Sequence, residues 1–292
     1  MTPTLDAIAR PSGMFAMVAM DQRESLRTMF AEAGAGRVGD AELVAFKTAV
    51  ACALGPLASG FLIDRTLGFD HVRSGLLPAG CGLILAADDL AQEPGRPVEE
   101  TGIDESVAAP GFDLAGVRAL KLLLIWRRDS RREERVELAR RFIALAARRG
   151  VLSVLEPVVR PAPGEPARWD EDAAILDAAR ELARLAPSLY KAQVPRRGIG
   201  SADELRRACE ALGQAIARPW VVLSQGVDRA RFLPAVRAAC QGGASGFLAG
   251  RALWSDVVGR PDVDRALAEV SAPRLERLVE VVDREGVPWR KA

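Results

Sequence analysis

Eight short apolar runs, mostly separated by amphipathic stretches of helical length, occupy a chain of 292 residues. The runs are almost continuously apolar, as strands of a sheet covered on both faces must be. Strand-like runs alternating with helices argue for parallel βα units. Eight such units in this length predict an α/β chain, a (β/α)8 TIM barrel forming a single domain over residues 1–292. The competing arrangement is an open doubly wound sheet, but no Gly-rich dinucleotide fingerprint follows the first run.

The first run covers residues 15–21 and the second 61–64, followed by 83–88, 120–126, 152–158, 189–194, 220–224 and 246–250. Between them, residues 40–54 place Leu43, Val44, Phe46, Val50 and Leu54 on a stripe of helical period. Residues 130–149 do the same with Val136, Ala139, Phe142, Ile143 and Ala146, and carry arginines elsewhere. Further helices are predicted over 170–185, 201–217, 229–240 and 274–284. Ser201 is a natural N-cap, with Glu204 three residues on. Residues 92–116 are rich in Pro, Gly and acids and lack a helical pattern. They read as a long βα connection over the barrel mouth, either a substrate lid or an irregular excursion.

Composition narrows the function classes. Apolar residues make up 49% of the chain and the formal net charge is +1. That balance gives no electrostatic case for nucleic acid or an anionic membrane surface. No uninterrupted apolar run is long enough to cross a bilayer. The four cysteines form no CxxC pair, and the first residues lack the pattern of a secretory leader. A cytoplasmic protein with reduced thiols is expected. The single histidine, His71, sits in a polar turn or helix start without a nucleophile motif nearby. One histidine cannot build a zinc site of several histidine ligands, so no metal is expected.

Only four lysines, Lys47, Lys121, Lys191 and Lys291, stand among 40 basic residues. Elsewhere the chain uses arginine, which cannot lose its proton at neutral pH, whereas a lysine in a dry site can. Two of the four, Lys121 and Lys191, lie inside strand-like runs. A single strand lysine can also be one whose stem packs on apolar neighbours while its head reaches water. Alternation argues otherwise here. Outward-facing charges on Lys121, Glu156 and Lys191 would lie under helices, unpaired and costly. Inward-facing, they surround one cavity from three neighbouring strands. A buried ion-pair network with no further role is the alternative.

An ordinary lysine amine has a pKa of about 10.4, and a nucleophilic one is wanted near 7 to 8. Desolvation and a nearby cation both favour the neutral amine. Such an amine attacks a ketone carbonyl and forms an iminium, which withdraws electrons from the adjacent carbon–carbon bond. The iminium is its own electron sink, so no metal or organic cofactor is needed. Polar residues fall at the strand ends, where active sites of this fold lie: Asp21, Gln22 and Arg23, then Asp64, Asp88, Ser224 and Arg251. Ser224 and Gly250 end the last two runs and Gly226 and Arg251 follow them, where phosphate sites of this fold commonly occur.

With these residues in hand, the chain resembles the class I aldolases of the tagatose-bisphosphate aldolase family, and within it the sulfofructosephosphate aldolase branch. The likeness spans nearly the whole chain and is carried by FAMVAMDQRESLRTMFAEAGA (15–35), ALKLLLIWRRD (119–129), SVLEPVVRP (153–161), LYKAQVP (189–195), WVVLSQGVD (220–228) and GASGFLAGRALWSDVVG (243–259). The resemblance implies a Schiff-base lysine at Lys191, with Glu156 and Lys121 beside it. It implies substrate contacts at Asp21 and Gln22, and anion contacts at Ser224, Gly250 and Arg251. It also implies a ketose phosphate as the small-molecule substrate and a homo-oligomer, with the face around Trp254 and the C-terminal helix as the packing surface. Relatives tend to have a glutamate in place of Gln193 and a small residue in place of Gln225, and differ at Asp64, Arg65 and Thr66, all expected to border the cavity. The activity implied is cleavage of 6-deoxy-6-sulfofructose 1-phosphate to dihydroxyacetone phosphate and 3-sulfolactaldehyde. Tagatose or fructose 1,6-bisphosphate cleavage, and a non-catalytic barrel that binds a sugar phosphate, are the alternatives.

Overall fold

The computed structural model describes residues 3–93, 96–162, 164–165 and 169–292. Its strands are β1 (Phe15–Met20), β2 (Gly60–Ile63), β3 (Gly82–Ala86), β4 (Asp88–Ala91), β5 (Glu100–Ile103), β6 (Val117–Trp126), β7 (Leu152–Val159), β8 (Leu189–Ala192), β9 (Trp220–Val222) and β10 (Gly246–Ala249). Eight of them close a barrel in the order β1-β10-β9-β8-β7-β6-β3-β2, and every neighbouring pair is parallel. Each of the eight apolar runs holds one barrel strand. The helices between them include Asp40–Leu54, Arg132–Arg148, Glu171–Leu182, Ala202–Ile216, Arg229–Gln241 and Ala272–Glu285. The capping box at Ser201 is formed: its hydroxyl accepts from the Glu204 amide, and the Glu204 carboxylate accepts from the Ser201 amide at 2.8 Å.

The region 92–116 differs from its sequence reading. It belongs to an antiparallel hairpin that starts earlier, with Asp88 opposite Ile103 and Ala91 opposite Glu100. A short helix, Glu105–Ala108, follows and is capped by the Asp104 carboxylate. Four-residue strands with half-exposed faces give too little alternation to be read from the chain. The hairpin does lie over the barrel mouth, where Leu90, Gln92, Arg96, Pro97 and Val98 line a cavity.

Two cores fill the molecule. The outer one packs helices on the strands' outward side chains. The inner one fills the lower barrel with Phe15, Met17, Leu62, Ile84, Val154, Leu189, Val221 and Leu248, and Leu5 and Ile8 join it from the N-terminal turn. Each of these large apolar side chains contributes roughly 1.5–3 kcal/mol on burial. Closure of β1 on β10 needs glycine at position 246: φ is 140°, and a Cβ there would sit 1.9 Å from the Phe15 carbonyl oxygen.

Two surface readings are settled. His71 lies exposed on the short helix Phe69–Arg73. Trp254 is not part of an exposed face. It is fully buried, packs edge-on against Phe46, and donates its indole N–H to the Ala19 carbonyl at 3.0 Å. Among the described residues, no helix is long and apolar enough to cross a membrane.

Candidate active site

Inward alternation on β6, β7 and β8 leaves an apolar floor and a charged roof. On β6, Ala119 belongs to the inner core and Lys121 and Leu123 continue the same face upward. On β7 that face carries Leu152, Val154 and then Glu156, and on β8 it carries Leu189 and then Lys191. Register places Leu123 beside Glu156 and Lys191 beside Val221. The three charged residues are each at most 5% exposed.

They meet at one point. Lys191 Nζ lies 2.8 Å from Glu156 Oε1, and Lys121 Nζ lies 3.1 Å from Glu156 Oε2. Lys121 donates to Asp21 Oδ2 at 2.6 Å and to Asp88 Oδ2 at 2.8 Å. Asp88 also accepts from the Leu123 amide and from Arg23. Lys121 is thus ringed by three carboxylates. Burial works against its charge, but Asp21, Asp88 and Glu156 outweigh burial and hold its pKa well above the ordinary amine value. Burial likewise opposes ionisation of Asp21. Lys121, then Lys191 and Arg23, prevail and hold it below the usual carboxylate range. The ring therefore keeps Lys121 as an ammonium and Asp21 as a carboxylate. Glu156 Oε2 is buried and takes no hydrogen bond among the described residues, which leaves it open to accept one.

Above this point opens a cavity of about 380 Å³. Its walls include Asp21, Gln22, Lys121, Glu156, Lys191, Ser224, Gly226, Gly250 and Arg251, so nine of the ten sequence-nominated residues share it. Gln225 borders it as well. Ser224, Gly226, Gly250 and Arg251 form the wall after β9 and β10. Arg251 makes no ion pair among the described residues. Burial draws its pKa down and the fields of Asp21 and Glu156 oppose this. It remains a cation.

The tenth nominated residue, Asp64, is elsewhere. Its carboxylate is fully buried beside Lys47 and also accepts from Thr66 Oγ1 at 3.0 Å and the Leu67 amide at 2.8 Å. Lys47 from the helix Asp40–Leu54 and the turn after β2 hold it, and it does not line the cavity. Gln193 does not border the cavity either. Its side-chain oxygen accepts from the Val159 amide at 2.7 Å and bridges β7 to the end of β8.

Three contributors were not nominated. Asp88 reads from the sequence as a strand end, but its grip on Lys121 depends on the hairpin that follows it. Arg23 stands in the sequence only as the neighbour of Gln22, yet it ties that loop to Asp88. Arg160, just past β7, lines the cavity with no ion pair among the described residues and its Nε free of hydrogen bonds. Nothing in an arginine-rich sequence separates it from its neighbours.

Residues 15–256 match the family described as DeoC/LacD family aldolase. Tagatose 1,6-diphosphate aldolase of Listeria monocytogenes serotype 4b (strain CLIP80459) is 26% identical over 98% of this chain and 92% of its own length. The enzyme of that name from Listeria innocua has the same identity and coverage. Among solved structures, fructose-bisphosphate aldolase from Plasmodium falciparum superposes with a TM-score of 0.73 at 13% identity, covering 97% of this chain and 93% of that one. An archaeal fructose-1,6-bisphosphate aldolase, solved with its catalytic lysine bound to a carbinolamine intermediate, gives 0.61 at 15% identity, over 96% and 98%. These two likenesses carry the barrel fold. The match over most of the chain carries the rest: the protein belongs to the DeoC/LacD family of aldolases and is a carbon–carbon lyase.

Proposed function

We propose that the protein is a class I aldolase that cleaves a ketose 1-phosphate through a Schiff base on Lys191. The reading rests above all on Lys191 standing 2.8 Å from a buried carboxylate whose other oxygen faces Lys121. The proton that the amine must lose has an acceptor in place. Free of it, Nζ adds to the C2 carbonyl, water leaves, and an iminium forms. Glu156, with Lys121 beside it, takes the proton from the C4 hydroxyl as the C3–C4 bond breaks. The bond electrons pass to the iminium nitrogen and give an enamine, while C4 departs as the aldehyde. Protonation at C3 and hydrolysis return the amine and release dihydroxyacetone phosphate. Neither a metal nor an organic cofactor enters this scheme. The catalytic lysine of the archaeal structure, bound covalently to a carbinolamine intermediate, is a precedent on the same fold.

In this reading Ser224, Gly226, Gly250 and Arg251 receive the C1 phosphate, and Asp21 and Gln22 contact the sugar carbons. The other end of the substrate meets Arg160. Arg23 is already committed to Asp88, and Arg96 lies 4.0 Å from Glu93. One uncommitted guanidinium suits a singly charged sulfonate better than a doubly charged phosphate. We therefore assign 6-deoxy-6-sulfofructose 1-phosphate as substrate and 3-sulfolactaldehyde as the second product. The bisphosphate alternative is favoured by the Listeria relatives, which are named for tagatose 1,6-diphosphate.

Two measurements test this. Borohydride reduction with dihydroxyacetone phosphate, followed by peptide mapping, should label Lys191. A label elsewhere, or none, defeats the Schiff-base assignment. Turnover of the sulfonated ketose against tagatose and fructose 1,6-bisphosphate should favour the sulfonate in kcat/KM. A preference for either bisphosphate reverses the substrate assignment and leaves the lysine chemistry standing.

A further inference from the structure

The buried pair Lys47 and Asp64 takes no part in the cavity, yet its contacts lead to it. Lys47 is on the helix Asp40–Leu54, outside the barrel, and is fully buried. An ammonium has three donors, and all three are spent. One goes to Asp64 Oδ1, one to the Met20 carbonyl at 2.9 Å, and one to the Gln22 carbonyl at 2.8 Å. Met20 and Gln22 flank Asp21. A single cation thus holds the backbone on both sides of the residue that grips Lys121 at 2.6 Å.

The same strand end is held from a second direction. The Ala19 carbonyl accepts from the Trp254 indole, on the short helix that begins at Arg251. A Cβ on Gly250 would lie 2.7 Å from that carbonyl oxygen, so the anion-side loop rests directly on β1. The carbonyls of residues 19, 20 and 22 are therefore fixed from outside by Trp254 and Lys47, and Asp21 points inward between them.

Building on the Schiff-base reading, we propose that Lys47 is a positioning residue for carbon–carbon cleavage, acting with Asp64 through the Met20–Gln22 backbone to set Asp21 against Lys121. Lys47 touches no substrate, since its donors are filled and it does not line the cavity. Its effect passes through Asp21 to Lys121 and from there to Glu156. The groups facing Lys121 are Asp21 from β1's end, Asp88 from the hairpin and Glu156 from β7. Arg23 and Lys191 stand behind these, and Arg251 is within the field of Asp21 and Glu156. When Asp21 slips, Lys121 loses one of three carboxylates and gives up its proton at lower pH.

The test uses the full chain. Wild type is first trapped with dihydroxyacetone phosphate and borohydride; failure there defeats the Schiff-base reading and not this one alone. The double variant Lys47→Met/Asp64→Asn removes both charges together, so neither is left buried alone. Its fold is checked by circular dichroism and thermal melting. The expected result is a kcat at least tenfold lower, KM changed less than threefold, trapping on Lys191 retained, and the alkaline limb of the kcat–pH profile moved to lower pH. Should the double variant not fold, Asp64→Asn alone serves, because Asn still accepts from Lys47. It should give a kcat loss of about threefold with the limb moved the same way. A folded variant with wild-type kcat and an unmoved alkaline limb overturns the proposal. So does a loss confined to KM.

Discussion

Glu156 stands between two amines: its Oε1 is 2.8 Å from Lys191 Nζ, in a largely buried cluster that lines the cavity. One carboxylate at that distance can serve the amine's proton first and the substrate hydroxyl later. The second lysine lies 3.1 Å from the other oxygen.

Lys191→Arg retains the cation and its ion pair but cannot form an imine. Cleavage should fall by at least about a thousandfold, with a melting temperature within a few degrees of wild type. Mass spectrometry after borohydride treatment should find no adduct. Appreciable residual cleavage would remove Lys191 from the mechanism.

Glu156→Gln should separate the steps. The amide accepts no proton, so cleavage should drop by about 10²–10⁴. Lys191 is still present, so slow trapping should persist. Cleavage at wild-type rate would show that another group takes the C4 proton.

Lys121→Met leaves Asp21, Asp88 and Glu156 facing one another without their shared cation. Removing one partner from a buried charge cluster costs about 3–5 kcal/mol. The sign with pH follows from the shifts. Asp21's lowered value stabilises the fold above about pH 4, and this contribution is lost as pH falls through the folded-state value. Lys121's raised value stabilises the fold below about pH 10.4, and this is lost as pH climbs through the folded-state value. The urea midpoint of the variant should therefore trail wild type by a steady amount between about pH 4 and pH 10, and the gap should narrow as pH falls below about 4. A gap that keeps its size on that acid side would mean that the lysine acts through packing alone.

Gly250→Ala places a Cβ 2.7 Å from the Ala19 carbonyl oxygen and 3.0 Å from Gln22 Nε2. The anion-side loop must then move away from β1. KM for the phosphorylated ketose should rise about tenfold, a loss of roughly 1.4 kcal/mol of binding. Reaction with unphosphorylated dihydroxyacetone should change little. Equal damage to both would place the phosphate elsewhere.

Gly246→Ala tests barrel closure rather than chemistry. Its Cβ would overlap the Phe15 carbonyl at 1.9 Å, in a backbone conformation that only glycine adopts easily. A loss of several kcal/mol, and a fall in melting temperature on the order of 10 °C, is expected. A melting curve matching wild type would show that β1 and β10 do not pair this closely.

The sequence by itself determined the barrel and the cluster of charges at its centre. Apolar runs at regular spacing can bury only as parallel strands under helices. Alternation along three of them left Lys121, Glu156 and Lys191 no inexpensive place except inside. Those inferences needed only local period and the cost of a buried charge. Tertiary structure decided what depends on partners distant in the chain. Asp64 ends an apolar run just as Asp21 does, yet Lys47, seventeen residues earlier, captures it on the outside. Asp88 ends another run and is turned onto Lys121, thirty-three residues away, by a hairpin too short to show a period. A carboxylate at a strand end has the same local signature in all three cases. Which cation it meets is set by the folding of segments whose spacing carries no record of the encounter.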